Sequence, residues 1–411
     1  MSTLRELVSI LSKNVELYMG ELDNVGSHLD DANLALLGSE GLAARDEIII
    51  AAEKLLQHAR GPGPALMSLL STASNIGTIQ TLIRLEVPDH VPSPGSITYD
   101  ALITKLKTPV KPGLLQRLVR FARFDGFLDE DEAGAVKHTP MSAIFVRDQG
   151  NAVMAKLVVD FLIQPILFMY ESITLDPSGE NPRQAPFAVM ARGSGAREGP
   201  TPFEILEKDQ INRDRFHDGL ALHSEFMIRH VSHAYDWNSV QSLIDVGGSQ
   251  GHVATVIAEA FPHIHITVQD RPEVIQRARQ RLDQNPRLTF EEHDFFVPQP
   301  RIADAYLLRQ VLHDWNDADC TRIICQICSA MRPSARLLVM DAVLPEPGEG
   351  SLQIERQLRG RDIIMYVSCA AKERSLAQIR RLVENCDRRL RFEKVYTPSG
   401  SSTGMLSWIY E

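Results

Sequence analysis

The 411-residue sequence predicts an α/β protein, a doubly wound parallel sheet preceded by a mainly α-helical domain, and three observations carry that expectation. The strand run Leu243-Ile244-Asp245-Val246, apolar at Leu243, Ile244 and Val246, opens directly into the glycine turn Gly247-Gly248-Ser249-Gln250-Gly251, followed by a helical stretch from Val253 to Phe261. Beyond it, apolar strand runs alternate with helical stretches, the βαβ rhythm of a parallel sheet. Before residue 201 apolar positions recur near helical period instead, so two domains are expected, 1–200 and 201–411.

In chain order, Leu4, Leu7, Val8, Leu11 and Val15 mark a first helix, and Ile48 to Leu56 carries a second apolar run. Pro62-Gly63-Pro64 breaks that section, and Ala65 to Leu85 begins another helical stretch. From Ser96 to His138 the pattern reads as a winged helix. A short helix spans Thr98 to Leu106, Pro112 opens one with Leu114, Leu115, Leu118, Val119 and Ala122 on a single face, and Phe127-Leu128 with Ala135 to Thr139 suit a hairpin around an acidic turn. Pro/Gly-rich segments at 176–182 and 192–195 suit a connection between domains. Helical stretches after Thr201 lead to Asp245, and Met405 to Tyr410 forms a last strand.

Hydrophobic residues at 44% and charged residues at 23% are ordinary for a globular protein. The net charge of −10 argues against a nucleic-acid partner, because the basic set Lys105 to Arg123 is followed at once by Asp125 and Asp129 to Glu132. With no signal-peptide pattern at Met1 to Leu7 and no run of about 18 apolar residues, a cytoplasmic protein without membrane contact is expected. Five cysteines do not suit a disulfide framework, and the Cys325-x-x-Cys328 pair among Ile323, Ile324 and Ile327 reads as core.

The glycine turn lets a ligand lie against bare backbone, and Asp270 closes the next strand, Ile264 to Val268, about 20 residues on, where an acid suits a ribose diol. The run departs from G-x-G-x-x-G. Asp245 is awkward beside a pyrophosphate but suits a cationic amino-acid ligand, which favours S-adenosylmethionine over a nicotinamide dinucleotide; a turn without a ligand stays open. The segment Ala305 to Asp317 reads as a strand, a loop and a helix start, with Asn316 or Asp317 as N-cap. It puts His313 just past a strand's C-terminal end, the ligand edge of an open parallel sheet. A lone histidine there is structural as readily as catalytic, and the adjacent nucleotide-type site makes it a candidate general base.

The D-V-G-G-S-x-G-H run, Asp270-Arg271-Pro272, Asp294-Phe295-Phe296, L-L-R-x-V-L-H-D-W-N-D and Lys372-Glu373-Arg374-Ser375 together resemble the class I S-adenosylmethionine-dependent O-methyltransferases related to plant caffeic acid and fungal polyketide enzymes. The resemblance implies a Rossmann-like methyltransferase domain and an N-terminal winged-helix domain that serves homodimerisation. It implies donor contacts from Asp245, Gly247, Gly248 and Gly251, ribose contact from Asp270 beside Arg271, and adenine contact from Asp294 and Phe295. Arg309 stands where a lysine near the adenosine is common. His313 matches the base, flanked by the acids Asp341 and Glu373, though Asp341 is shorter than the usual glutamate. Asp314, Asp362 and Met365 are the candidates for acceptor contact.

A phenol with pKa near 10 is barely ionised at neutral pH, so an imidazole at its hydroxyl assists phenolate formation while carboxylates stabilise the imidazolium. No compact aspartate set suggests a metal. The expected activity is thus methylation of a phenolic or enolic hydroxyl of a small molecule, a fungal secondary metabolite by the resemblance, with S-adenosylhomocysteine as co-product. The alternative is a donor-binding pericyclase or dehydratase of the same fold, and the intact H-D-W-N-D segment favours methyl transfer.

Overall fold

A computed structural model describes residues 3–25, 37–208, 228, 231–281, 285–349, 351–396 and 403–411. Residues 209–227, 229 and 230, within the helical stretches expected between Thr201 and Asp245, lie outside these described residues. Backbone contacts divide the chain into two compact units, residues 1–160 with 348–353, and 161–347 with 354–411. The division falls upstream of the boundary at 200 drawn from the sequence, because residues 161–200 pack with the second unit.

The first unit opens with the helices Leu4–Val25, Ser39–Arg60 and Pro62–Arg84. The helices Tyr99–Ile103 and Pro112–Ala122 lie between the first and second strands of an antiparallel sheet of β1 (Ser96–Ile97), β2 (Asp129–Glu130) and β3 (Val136–Lys137), in the order β1-β3-β2. The hairpin begins two residues later than Phe127-Leu128 suggested. Those two side chains are buried, and Leu128 turns the chain with φ 64° before pairing starts. Thr139 and Ser142 form a reciprocal capping box at the start of the next helix, Pro140–Arg147.

The second unit is built on β4 (Ser242–Val246), β5 (His265–Asp270), β6 (Leu288–Glu292), β7 (Ala305–Arg309), β8 (Arg336–Leu344), β9 (Arg374–Ser375), β10 (Leu390–Tyr396) and β11 (Thr403–Tyr410). The order is β10-β11-β8-β7-β4-β5-β6, with β9 paired to the end of β8. Strands β4 to β8 run parallel; β11 joins β8, and β10 joins β11, in antiparallel fashion.

Period-two alternation explains why both faces of this sheet are dry. Ile244, Val246, Tyr306, Leu308, Leu337 and Val339 point to one core, which the helix Asp317–Cys328 covers with Cys320, Ile323, Ile324 and Ile327. Leu243, Ala305, Leu307, Leu338 and Met340 point to the other, covered by Val253, Ala254, Ile257 and Ala258 of the helix His252–Ala260. Of the C-x-x-C pair, Cys328 belongs to the first core and Cys325 is exposed. No described helix is long and apolar enough to cross a membrane.

The Asp304 carboxylate pins the start of β4 by accepting from Gln241 N at 3.0 Å, Ser242 N at 2.9 Å and Ser242 Oγ at 2.9 Å. Because β4 pairs with β5 on one side and β7 on the other, the chain leaves it in opposite directions, which opens a crevice at the strands' C-terminal ends. Leu338 is fully buried on the interior strand β8. Leu338→Ala is expected to destabilise the second unit by about 2–5 kcal/mol, read as a lower unfolding midpoint with an unchanged circular-dichroism spectrum.

Candidate active site

The glycine turn forms because the Gly247 and Gly248 amides both donate to the carbonyl of Gln269 on β5, at 2.8 and 3.1 Å. Gly247 and Gly251 take φ of 71° and 79°, in the left-handed region that glycine enters without strain. A Cβ on Gly248 would lie 2.6 Å from the Asp245 carboxyl, and one on Gly251 2.8 Å from the Phe290 ring. Bare backbone is therefore a packing requirement at this edge. Ser249, where a third glycine is common, accepts φ 53° and donates its amide to Asp270 at 2.8 Å.

Asp245 is buried, and its Oδ2 has no hydrogen-bond partner. Burial pushes its pKa up to about 7, with the Arg309 charge opposing and Asp270 adding to the rise. Asp270 accepts at both oxygens, from Ser249 N and from Arg271 N at 2.8 Å each; burial raises its pKa and these bonds oppose the rise. Arg271 points away, pairing with Glu273 at 3.2 Å. Exposed Asp294 accepts from Phe296 N at 2.9 Å, the bend-capping role open to any aspartate. The Phe295 ring lies 5.8 Å from Trp315 edge to face, and a Cβ on Gly247 would sit 3.7 Å from it, so ring and glycine turn share one wall.

Arg309, expected beside an adenosine, has the acids Asp245 and Asp341 and the like-charged Arg361 as neighbours, and its Nε and Nη2 are buried without partners. A cleft edge that holds an unpartnered carboxylate oxygen, unpartnered guanidinium nitrogens and glycines that admit no side chain fits a ligand carrying both a cation and polar acceptors.

His313 occupies a single 3-10 turn, Leu312–Asp314, directly beyond β7. Its Nδ1 donates to Glu373 Oε1 at 3.0 Å, and its Nε2 lies 3.6 Å from Asp314 Oδ1. Glu373 therefore faces the imidazole from the interior, not from solvent. Its side chain is fully buried, Arg361 Nη2 adds a second cation at 3.3 Å, and its backbone amide donates to Asp362 Oδ1 at 2.9 Å. Asp341 faces the same group electrostatically, but its Oδ1 is buried without a hydrogen-bond partner, so the shorter side chain acts on the histidine by charge alone. Asp362 thus serves the Glu373 backbone, and the carbonyl of half-buried Met365 accepts the Ala371 amide at 3.3 Å.

Arg361 had no separate signal in the sequence; one arginine on the helix Leu352–Cys369 looks like any solvated charge until Glu373 is placed beside it.

Burial opposes charge on His313, but Asp314, the Glu373 hydrogen bond and Asp341 outweigh it and raise the pKa to about 9. Burial likewise raises Asp314, and lifts Asp341 to about 6, with His313 opposing in each case. The cluster is an acid-rich pocket around one imidazole, able to take and hold a proton at a strand edge beside the glycine turn.

Three comparisons bear on what such a pocket does. The family model for the O-methyltransferase domain matches residues 188–387. The chain is 68% identical, over the whole of both chains, to the 6-hydroxytryprostatin B O-methyltransferase of Neosartorya fischeri. Among solved structures, the mitomycin 7-O-methyltransferase MmcR superposes with a TM-score of 0.71 at 26% identity, covering 90% of this chain and 100% of that one. OxaC in complex with SAH and oxaline gives 0.77 at 23% identity, over 98% and 100%, a likeness of fold.

Asp245, Asp341 and His313 each have a folded pKa above the ordinary value: about 7 and about 6 against 3.8 for the acids, and about 9 against 6.5 for the histidine. Each binds protons on folding, so its contribution to stability is full below the ordinary value and is lost as pH rises through the folded one. Asp245→Asn removes one such group. Its unfolding midpoint should gain on the wild type as pH rises from about 4 to about 7; a gap that is flat or reversed over that window contradicts the burial argument.

Proposed function

Since the chain belongs to the O-methyltransferase family, we propose that His313 is its general base and that its acceptor is 6-hydroxytryprostatin B. The observation that carries the first part is the His313 ring, held at Nδ1 by buried Glu373 with Nε2 turned to the other side, at the C-terminal edge where β4 and β7 part. The acceptor rests on the full-length 68% identity.

S-adenosylmethionine, the donor, supplies when bound a methyl group already activated on a sulfonium, with S-adenosylhomocysteine as co-product. The chain's own residues then bind, orient and move a proton. We assign the donor's amino-acid end to the Gly247, Gly248 and Gly251 backbone and to the free Asp245 oxygen, its ribose to Asp270, and its adenine to Asp294 and Phe295. Arg309 holds Asp245 and Asp341 in place by charge.

His313 Nε2 takes the acceptor's hydroxyl proton, and Glu373 and Asp341 stabilise the imidazolium that results. Among these carboxylates alone the ring already favours its charged form. A further cation in the same pocket competes for the acids and lowers the histidine pKa, which frees the imidazole to act. Asp314, beside Nε2, and Met365 are assigned to the acceptor's side of the cleft.

A homodimer through residues 1–200, in the cytoplasm, belongs to the same reading. Leu66, Met67, Leu69 and Leu70 on the helix Pro62–Arg84 are 67, 65, 62 and 67% exposed, a patch that a second copy would cover. A monomeric mass by sedimentation at micromolar concentration would sink that part.

Incubation with methyl-labelled S-adenosylmethionine and 6-hydroxytryprostatin B should give labelled product and equimolar S-adenosylhomocysteine. His313→Ala should lose about 10²–10⁴-fold in turnover while calorimetry shows donor affinity intact. Gly248→Ala should lose donor binding itself, since its Cβ collides with Asp245. Full turnover by His313→Ala rejects the base; acceptor conversion without label transfer rejects methylation.

A further inference from the structure

We propose that Arg374 is a positioning residue for His313, its guanidinium stapling the two backbone carbonyls that bracket the base. The inference rests on the reading of His313 as base.

The Arg374 side chain is 4% exposed. Its Nη1 donates to the carbonyl of Leu312 at 2.8 Å and its Nη2 to that of Trp315 at 2.8 Å, one residue before His313 and two after it. Nε and Nη2 reach Asp317 Oδ1 at 2.9 and 2.8 Å, and Nη1 also approaches the Lys372 carbonyl at 3.4 Å. Asp317 opens the helix Asp317–Cys328, where the helix dipole favours an acid. One planar fork therefore joins the turn that carries His313 to the first turn of the next helix.

That turn needs an external tie. Its own bonds are Asp314 N to Val311 O at 3.1 Å and Trp315 N to Leu312 O at 3.3 Å, and a 3-10 turn this short has poor internal geometry. Cys320 Sγ donates to the same Leu312 and Trp315 carbonyls, but at 3.2 and 3.4 Å a thiol is a weak donor. The Arg374 fork is the charged contact there.

Position in the chain gives the arrangement its meaning. Arg374 comes directly after Glu373, at the start of β9, where extended backbone sends successive side chains to opposite sides. Glu373 reaches the His313 ring and Arg374 reaches the backbone beneath it, so one dipeptide fixes both the tautomer and the height of the base. Lysine, with one nitrogen on a flexible stem, cannot span two carbonyls and a carboxylate at once.

The test uses the full-length enzyme with S-adenosylmethionine and 6-hydroxytryprostatin B, comparing Arg374→Met, Arg374→Lys, Glu373→Gln and His313→Ala. Two readouts accompany turnover: donor affinity by calorimetry, and the ring N–H proton of ¹⁵N-labelled His313, identified by its loss in His313→Ala. In Arg374→Met, kcat is expected to fall about 10²-fold, the scale of a 1 Å misplacement, with donor Kd within about twofold. The protected His313 ring proton should broaden or vanish, as in Glu373→Gln, and Arg374→Lys should recover both only partly. If Arg374→Met keeps the wild-type ring proton, or loses donor binding and turnover together, the positioning role is overturned and Arg374 is a general fold contact. If His313→Ala turns over normally, the base assignment fails instead, and the ring proton still reports separately whether Arg374 orders the turn. Arg374→Lys, which keeps the charge, secures a folded comparison should the methionine variant not fold.

Discussion

Everything at the functional edge depends on β4 being paired in parallel on both sides at once. Register Asp245↔Val268 toward β5 and Asp245↔Leu307 toward β7 puts the ends of three strands level. Each then delivers its last polar residue to the same edge: Asp245 from β4, Asp270 from β5 and Arg309 from β7. The glycine turn is a second result of that register, since Gln269 has to lie beside Val246 for its carbonyl to collect two glycine amides. His313 is placed by the same pairing, because the turn that holds it begins where β7 stops.

Desolvation sets the chemistry of the edge. The strands that bring the acids together are dry on both faces, so Asp245 and Asp341 are placed where ionisation is resisted. Positive charge is the natural complement. Arg309 supplies part of it without a hydrogen bond from its Nε or Nη2, His313 supplies more when protonated, and a methyl-donating sulfonium is a cation of the same sign. The site favours a cationic ligand for the same reason that its acids hold protons tightly.

Local pattern was enough for the sheet, the glycine turn and His313, because alternation, glycine and strand-end placement are written in neighbouring residues such as Leu243 to Gly251. It was enough for Asn316 as N-cap, which accepts from Asp319 N at 2.9 Å. Whatever depends on distant partners was not legible. Arg361 and Glu373 meet only after a helix turns back on the sheet, and nothing near Arg361 marks it out. The reach of Asp341 could be doubted from its length, but only the placement of the ring beside Glu373 leaves its Oδ1 without a bond. The unit boundary shifted for a similar reason: Pro and Gly mark where a chain bends, and residues 161–200 bend while staying packed with the second unit.

The antiparallel pairing of β11 onto β8 sets Gly404 opposite Asp341 and covers β8 on the side away from β7. Water is kept from Asp341 in part by a strand far downstream that carries none of the site's own polar groups. The resistance of Asp341 to ionisation therefore depends on a pairing outside the glycine turn and the imidazole. The electrostatic temper of the site is thus set partly from beyond it, by the strand that closes the sheet beside β8.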